Sequence, residues 1–436
     1  MSDYLFMLEN HLSTDQNRVV AEVQAAASIA NCSLFLAGGA MRDMLGGFQI
    51  RDLDFVVEGN APRLAKTLTT KAGARVVSED DRRRTVELLF PGGVTAEIGM
   101  CRQERFPRAG SAPQVNPATI QEDLRRRDFT VNAIALSLNR ASRGLLLDPM
   151  NGLADLGNKE LRALHATALY DDPSRLLRLV RLKLRLGYAV DERTQSQYDN
   201  ARAAQMQNQI PRRILCEELK HISTEPNPSE VMRALEQDGL LALFSTALAG
   251  AKLNIPGLAK LEKVRRLVPN EATGLAANWG PFVCVLTEKL NPREKQALIK
   301  QIEMRKSEVD LWQKLPARAK KLEGALKSQR LKKASQIYDL LTKTPADEIL
   351  YLLYHSQARI IQDRIRNYLQ KYVPLSQEIT DAEVEAKGVS PGTPKFQKLK
   401  EEMIAARLDG RTKKPPPAPV EPPGPVTAMQ RGRAVR

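Results

Sequence analysis

Asp52 and Asp54 flank Leu53 inside the apolar run Asp52-Leu-Asp-Phe-Val-Val. On a β-strand, residues two apart point to one face, with side chains about 7 Å apart. Two like charges there repel unless a divalent cation neutralises them. Oxygen-only ligands at this spacing suit Mg²⁺, which binds one or two carboxylates together with substrate phosphates. Taken alone, D-x-D also describes two acids on an exposed strand or turn. Upstream, Leu34-Phe-Leu-Ala-Gly-Gly-Ala-Met-Arg-Asp reads as a strand, a Gly38-Gly39 turn and a helix that starts with Arg42 and Asp43. Glycine lets a backbone approach a ligand closely, and amides at a helix start point at anions. A triphosphate could sit on this turn with Arg42 reaching it; the plain alternative is a tight turn with no ligand. Triphosphate plus metal is the combination that nucleotidyl transfer requires.

Two arginine clusters follow. In Glu122-Asp-Leu-Arg-Arg-Arg-Asp-Phe-Thr-Val-Asn-Ala, three arginines including Arg127 run into Asp128 and an apolar segment that reads as a helix. A solvated helix start capped by Asp128 accounts for it equally well. In Asp171-Asp-Pro-Ser-Arg-Leu-Leu-Arg-Leu-Val-Arg, Pro173 behind two acids forms a good helix N-terminus. Arg175, Arg178 and Arg181 then recur at every third position as one basic stripe beside Leu176, Leu177, Leu179 and Val180. Asp172 and Arg175, one turn apart, can offer an acceptor and a donor fork to the edge of a base, or else form a salt bridge on a helix surface.

Short apolar runs from Cys32, Asp52, Thr85 and Val94 read as four strands, with a helix from Pro62 to Ala72 between the second and third. Residues 1–140 therefore read as a small mixed α/β domain. Beyond Pro173 apolar residues recur at three and four spacing, in Arg175 to Leu186, Glu230 to Leu243 and Ser335 to Leu341, without a strand pattern. The fold class is α+β, a small mixed sheet followed by helical domains. Cuts near Thr224-Glu-Pro-Asn-Pro and Lys333 give domains at 141–224, 225–333 and 334–410, and the Pro-rich basic stretch 411–436 is expected to be disordered.

Composition narrows the class. With 436 residues, 42% hydrophobic and 27% charged, the chain can bury several cores and is neither collagen-like nor a disulfide scaffold. Cys32, Cys101, Cys216 and Cys284 form no C-x-x-C pair, so no zinc site can be read. No apolar stretch reaches the ~20 residues that cross a bilayer. Asp3 and Glu9 stand where a signal peptide would be basic, so a cytoplasmic location is expected. Lys and Arg outnumber Asp and Glu by 66 to 51, a net charge of +15 that favours a polyanionic partner. Only 5% of residues are aromatic, which points to tracking a phosphate backbone more than to stacking bases. Arg305 to Lys333 hold ten basic and three acidic side chains, a surface that could follow phosphates or simply be solvated.

Gly38-Gly-Ala-Met-Arg-Asp-Met-Leu-Gly, Asp52-Leu-Asp, Arg126-Arg-Asp-Phe-Thr-Val-Asn-Ala, Asp148-Pro-Met-Asn-Gly-Leu-Ala-Asp-Leu and Asp172-Pro-Ser-Arg-Leu-Leu-Arg occur in this order. Together they resemble the class II nucleotidyltransferases, the bacterial CCA-adding tRNA nucleotidyltransferases and their relatives the poly(A) polymerases. The resemblance implies a nucleotidyltransferase head at 1–140, a neck at 141–224 that recognises the base, a body, and a tail that grips the tRNA acceptor arm. It implies that Asp52 and Asp54 are catalytic and bind two Mg²⁺ ions. Gly38, Gly39 and Arg42 would hold the triphosphate, and Arg127 with Asp128 would hold the nucleotide near its sugar and phosphates. Asp172 and Arg175, supported by Arg178 and Arg181, would pair with the incoming base. Met41, Asp171, Glu97 and Arg181-Leu-Lys depart from the family pattern, and Glu97 is the candidate for a third carboxylate.

The activity so implied is template-free addition of CCA to the tRNA 3′ end from CTP and ATP, with pyrophosphate released. Arginine donates and aspartate accepts, which suits the amino-bearing edges of C and A and mispairs U and G. Asp80-Asp-Arg-Arg-Arg-Thr resembles the flexible loop that supports the switch to ATP, which ranks CCA addition ahead of poly(A) synthesis or addition of A or CC alone. From another class, a non-catalytic tRNA-binding protein would share the surface but has no need of Asp52 and Asp54.

Overall fold

A computed structural model describes residues 3–268 and 275–410. The expected disordered stretch 411–436 lies outside the described residues. The chain divides into two compact units, Met1–Lys327 with Thr344–Gln362, and Ser328–Lys343 with Asp363–Arg436.

The first unit is built on a mixed sheet of seven strands. These are β1 (Ser33–Ala37), β2 (Leu53–Glu58), β3 (Arg75–Asp80), β4 (Thr85–Leu89), β5 (Thr95–Met100) and, beyond a separate hairpin of β6 (Arg102–Arg105) and β7 (Gln114–Pro117), β8 (Ala135–Ser137) and β9 (Leu146–Leu147). The spatial order is β3-β4-β5-β2-β1-β8-β9. Only β2 and β5 run parallel within this sheet; its other neighbours are antiparallel. In β2, Leu53, Phe55 and Val57 are buried on one face, while Asp54 and the buried Val56 lie on the other. The helix Ala61–Lys71 starts where Asn60 accepts a hydrogen bond from the Arg63 amide, and it buries Ala61, Leu64, Ala65 and Leu68 over β4 and β5. Each such leucine removed from water stabilises by roughly 1.5–3 kcal/mol.

The four strands read from sequence are present, and the structure adds others. β3 lies at the sheet edge with both faces exposed, so Val76 and Val77 had no buried partner pattern to reveal it. The segment after Asp128 is not a helix: Thr130–Asn132 forms one 3₁₀ turn and the chain then enters β8. Residues 128–138 are all buried, and a stretch without an exposed face carries no period that separates helix from strand. A short parallel pairing of Glu160–Leu161 with Ala189–Val190 also lies partly in the stretch expected to be wholly helical. The helix expected through Leu243 spans Pro228–Gln237 and stops before Gly239, whose φ of 67° leaves the right-handed region.

Helix Ser174–Leu186 turns Leu176, Leu177, Leu179, Leu182 and Leu186 into the core and ends on Gly187 in the left-handed conformation. Helix Lys306–Lys327 buries Trp312, Leu315, Ala319, Leu322 and Leu326 and leaves Lys306, Lys320 and Lys321 exposed. In the second unit Ile379, Val384 and Phe396 form a small core, and Asp409 accepts hydrogen bonds from the Ser335 amide and hydroxyl. Among the described residues no helix is long and apolar enough to cross a membrane.

Candidate active site

The end of β1, the first turn of helix Gly39–Leu45 and the start of β2 meet at one point. Gly38 has φ 67° and ψ −129°, a conformation that is essentially restricted to glycine. The Gly39 amide donates to Asp54 Oδ2 at 3.0 Å, so the glycine turn and the D-x-D carboxylate are in direct contact. Asp52 stands one residue ahead of β2, where its Oδ1 accepts from the Thr95 hydroxyl at 2.8 Å. The parallel register sets Asp54 opposite Glu97 of β5, the third candidate carboxylate.

Asp54 reports this crowding. Withdrawal from water, then the charges of Glu97 and Asp52, raise its carboxyl pKa to about 7, against the opposing pull of Arg127 and Arg42. A divalent cation would offset this crowding of negative charge. Among the described residues no three acidic, histidine or cysteine side chains converge into a ligand set. The donor set fits Mg²⁺ nonetheless, because this ion is held by one or two carboxylates and takes its remaining ligands from water and phosphate.

Two arginines border the turn. A side-chain carbon on Gly38 would lie 2.7 Å from Arg127 Nη1, and one on Gly39 would lie 3.6 Å from Arg42 Nη2. Arg127 is held by Asp123 Oδ2, at 2.9 Å from Nη2, and donates through Nη1 to the Asn132 carbonyl at 3.3 Å. Arg42 is buried and donates to Asp43 Oδ1 through Nε and Nη2, at 2.9 and 2.7 Å, and to Asn132 Oδ1 at 2.8 Å. Three of its five N–H groups are thereby committed, so the residue expected to reach freely toward phosphate is a fixed wall of the turn with two donors to offer.

The Asp148 motif is an architectural brace. Asp148 accepts from the Gly152 and Leu153 amides at 2.7 and 2.9 Å, and Asp155 accepts from the Thr130 hydroxyl at 2.6 Å. A side chain at Gly152 would stand 2.2 Å from the Thr130 carbonyl oxygen, so only glycine allows this approach.

The expected basic stripe on helix Ser174–Leu186 points inward. Arg178 Nη1 reaches Asp128 Oδ2 at 3.0 Å and its Nη2 reaches Glu218 at 3.3 Å, while Arg181 binds Glu218 and, at 2.8 Å, Glu225. Asp128 also accepts from the Asn132 amide at 2.9 Å. Burial works to raise its pKa, but Arg178 and Asn132 outweigh burial and hold the carboxyl well below the usual range. Arg175 is buried as well, with Nη2 on the Arg126 carbonyl at 2.9 Å, Nη1 on the Ala168 carbonyl at 3.3 Å, and a buried Nε that lacks a hydrogen-bond partner. Asp172 Oδ1 caps Ser174 while its Oδ2 stands 3.8 Å from that Nε. Both ends of the Arg175 fork are thus engaged by backbone carbonyls, where the sequence reading expected them to face a base.

The sequence reading brought Gly38, Gly39, Arg42, Asp54, Arg127 and Asp128 into one neighbourhood, as the structure does. It missed Asp123 and Asn132 as partners of Arg127, Arg42 and Asp128, and Glu218 and Glu225 as partners of Arg178 and Arg181. Asn132 lay inside a motif already noticed, and Glu218 and Glu225 are seven apart at the end of an amphipathic helix, where burial of acids signals a cationic partner on another element.

Residues 34–162 match the family described as the poly A polymerase head domain. The CC-adding tRNA nucleotidyltransferase of Deinococcus radiodurans is 38% identical over 273 residues, covering 61% of this chain and 69% of that protein. The A-adding tRNA nucleotidyltransferase of Aquifex aeolicus is 31% identical over 77% of this chain, which spans 40% of the length of that relative. Against the A-adding tRNA nucleotidyltransferase of Geobacter sulfurreducens the identity is 25% over 94% of this chain and 47% of that protein. The chain thus spans about half or less of the length of these two A-adding relatives. Among solved structures, the apo form II of a CCA-adding enzyme aligns with a TM-score of 0.53 at 24% identity over 94% of this chain and 96% of that one. A CCA-adding enzyme in complex with CTP aligns with a TM-score of 0.50 at 25% identity over 94% and 95% of the two chains.

Proposed function

Because the chain belongs to the tRNA nucleotidyltransferase family, we propose that it extends the tRNA 3′ end with CCA, using CTP and ATP and no nucleic-acid template. The observation that carries this reading is the 3.0 Å contact of the Gly39 amide with Asp54, which joins a phosphate-cradling turn to a metal-binding carboxylate. In the reaction the terminal 3′ oxygen bonds to the α-phosphorus, its proton leaves, and the bond to pyrophosphate breaks. Asp52 and Asp54 would hold Mg²⁺, two ions by family resemblance, which lowers the pKa of the attacking hydroxyl and neutralises charge on the departing oxygens.

The chain's own residues supply position. The turn amides, Arg42 and Arg127 take the phosphates. Asp172 and Arg175 read the base edge, with Arg178 and Arg181 fixing their helix through Asp128 and Glu218. The head at 1–140, neck at 141–224, body at 225–333 and tail at 334–410 divide the work between chemistry, base reading and tRNA binding. The exposed lysines of helix Lys306–Lys327 suit acceptor-arm phosphates.

A second reading, addition of A alone or CC alone, is favoured by the names of the relatives. What favours CCA is the resemblance of Asp80-Asp-Arg-Arg-Arg-Thr to the loop that supports the switch to ATP; it spans the end of β3, a four-residue turn and the start of β4. One experiment separates the readings: purified protein with tRNA lacking its 3′ end, given CTP, ATP or both, and resolved on a sequencing gel. CCA addition gives two additions with CTP and three with both nucleotides. Asp54→Ala should abolish incorporation while tRNA binding persists; substantial remaining activity would overturn the metal assignment.

A further inference from the structure

Helix Arg212–Thr224 ends at Glu225, a carboxylate that is 1% exposed and belongs to none of the motifs. Guanidinium groups from two other parts of the first unit converge on it. Oε1 accepts from Arg181 Nη1 at 2.8 Å. Oε2 faces Arg51 Nη2 at 3.6 Å and Arg185 Nε at 3.8 Å and has no hydrogen-bond partner. Arg181 and Arg185 belong to helix Ser174–Leu186, whose first turn carries Arg175 beside Asp172. Arg51 immediately precedes Asp52, and its Nη1 donates to the Thr224 carbonyl at 2.9 Å.

The connection continues to the glycine turn. Arg185 Nη2 pairs with Asp43 Oδ2, and the other oxygen of Asp43 holds Arg42 at 2.7 and 2.9 Å beneath Gly39. The corner bearing Glu225 is itself pinned by Arg265, which donates to the Ser223 carbonyl at 2.7 Å and to that of Glu225. One fixed carboxylate thus touches the helix that carries the base-side residues and the segment that enters D-x-D, and through Arg185 it reaches the helix that opens on the triphosphate turn.

We propose that Glu225 is a positioning residue that sets the register between the base-reading helix and the phosphate and metal end of the site. The inference rests on the nucleotidyltransferase reading above. A nucleotide held at both ends needs those ends a fixed distance apart, and misplacement at the reacting centre lowers turnover more than binding. Without the negative charge, the buried Arg185 and the partly exposed Arg51 lose their shared counter-ion, and the two arms are no longer drawn to one point.

The test uses the full chain and Glu225→Gln, which keeps the shape and an acceptor for Arg181 but removes the charge facing Arg51 and Arg185. Initial rates are measured on tRNA lacking its 3′ end, with melting temperature and tRNA affinity in parallel. Glu225→Gln is expected to lower kcat about tenfold, with KM for tRNA within about twofold of wild type and with more UTP misincorporation. Asp43→Asn cuts the same route one step further on, so the double variant should lose much less than the product of the two single losses. Arg51→Gln, at a half-exposed side chain, severs only the D-x-D arm and covers the case in which Glu225→Gln does not fold; it should lower kcat several-fold without changing the melting temperature. Wild-type kcat in Glu225→Gln or in Arg51→Gln, or single losses that simply multiply, would overturn the proposal. A wild-type protein that incorporates no nucleotide would instead overturn the functional reading on which it rests.

Discussion

Replacing Gly39 by alanine isolates the contact on which the proposed chemistry rests. A methyl group there would stand 3.1 Å from Asp54 Oδ2 and 3.6 Å from Arg42 Nη2. Gly39 opens a helix with ordinary backbone angles, so alanine adds no strain and gains up to about 1 kcal/mol of helix propensity. The carboxylate must nevertheless give way by roughly 0.3–0.5 Å to reach ordinary contact distance. Mg²⁺ demands near-ideal geometry at about 2.0–2.1 Å, and a misplacement of ~1 Å costs about 100-fold in rate. Half that displacement predicts a loss of about tenfold in kcat, or ~1.4 kcal/mol of barrier. Single-turnover incorporation at saturating Mg²⁺, set beside a thermal melt, measures both sides. Gly39→Ala should lose about tenfold in kcat and melt no lower than wild type. Gly38→Ala should lose both activity and stability, because its φ of 67° and ψ of −129° cost alanine ~1–3 kcal/mol and its methyl would meet Arg127 Nη1 at 2.7 Å. Wild-type turnover in Gly39→Ala would refute the reasoning, since the Asp54 position would then be free to shift without consequence.

Other consequences follow from the same site. Asp54 titrates near 7 in the folded chain against 3.8 for an ordinary carboxyl. Its folded pKa is raised, so its contribution to stability is fully present below the unfolded value and lost as pH rises through about 7. Melts in chelator at pH 5 and pH 8 should therefore differ more for wild type than for Asp54→Asn; equal differences would contradict the crowding described. Asp172→Ala should raise UTP misincorporation in a competition with CTP and ATP, and an unchanged choice of nucleotide would defeat the base-reading assignment. Gly152→Ala places a carbon 2.2 Å from a backbone oxygen, an overlap expected to cost ~1–3 kcal/mol; a wild-type denaturation midpoint would show that the turn relaxes freely.

The residues with chemistry to offer were legible because their types and local spacing carried the signal. D-x-D announced itself through Leu53, whose burial turns its acidic neighbours the other way. The glycine pair announced a turn, and the parallel register that sets Glu97 beside Asp54 could only come from the folded sheet. β3 and β8 were not legible, for opposite reasons: one is exposed on both faces and the other buried on both. In each case the alternation that marks a strand is missing.

The arginine stripe shows where local spacing stops being informative. Arg175, Arg178 and Arg181 share a helix face, and a shared basic face reads equally as a surface for phosphate or as one side of a buried ion-pair layer. The decision lies with acids far along the chain: Glu218 is 40 residues from Arg178, Glu225 is 44 from Arg181, and Asp43 is 142 from Arg185. Desolvating several guanidinium groups is costly unless each finds a carboxylate in good geometry, so the stripe is stable only where these distant acids are brought against it. The same pairs tie the helix that begins beside Asp172 to Asp128 and Asp43, which adjoin in sequence the two arginines, Arg127 and Arg42, that border the glycine turn. On the proposed reading, the residues assigned to the base and those assigned to the phosphates are joined by the same charges, and a substitution that alters one end is expected to be felt at the other.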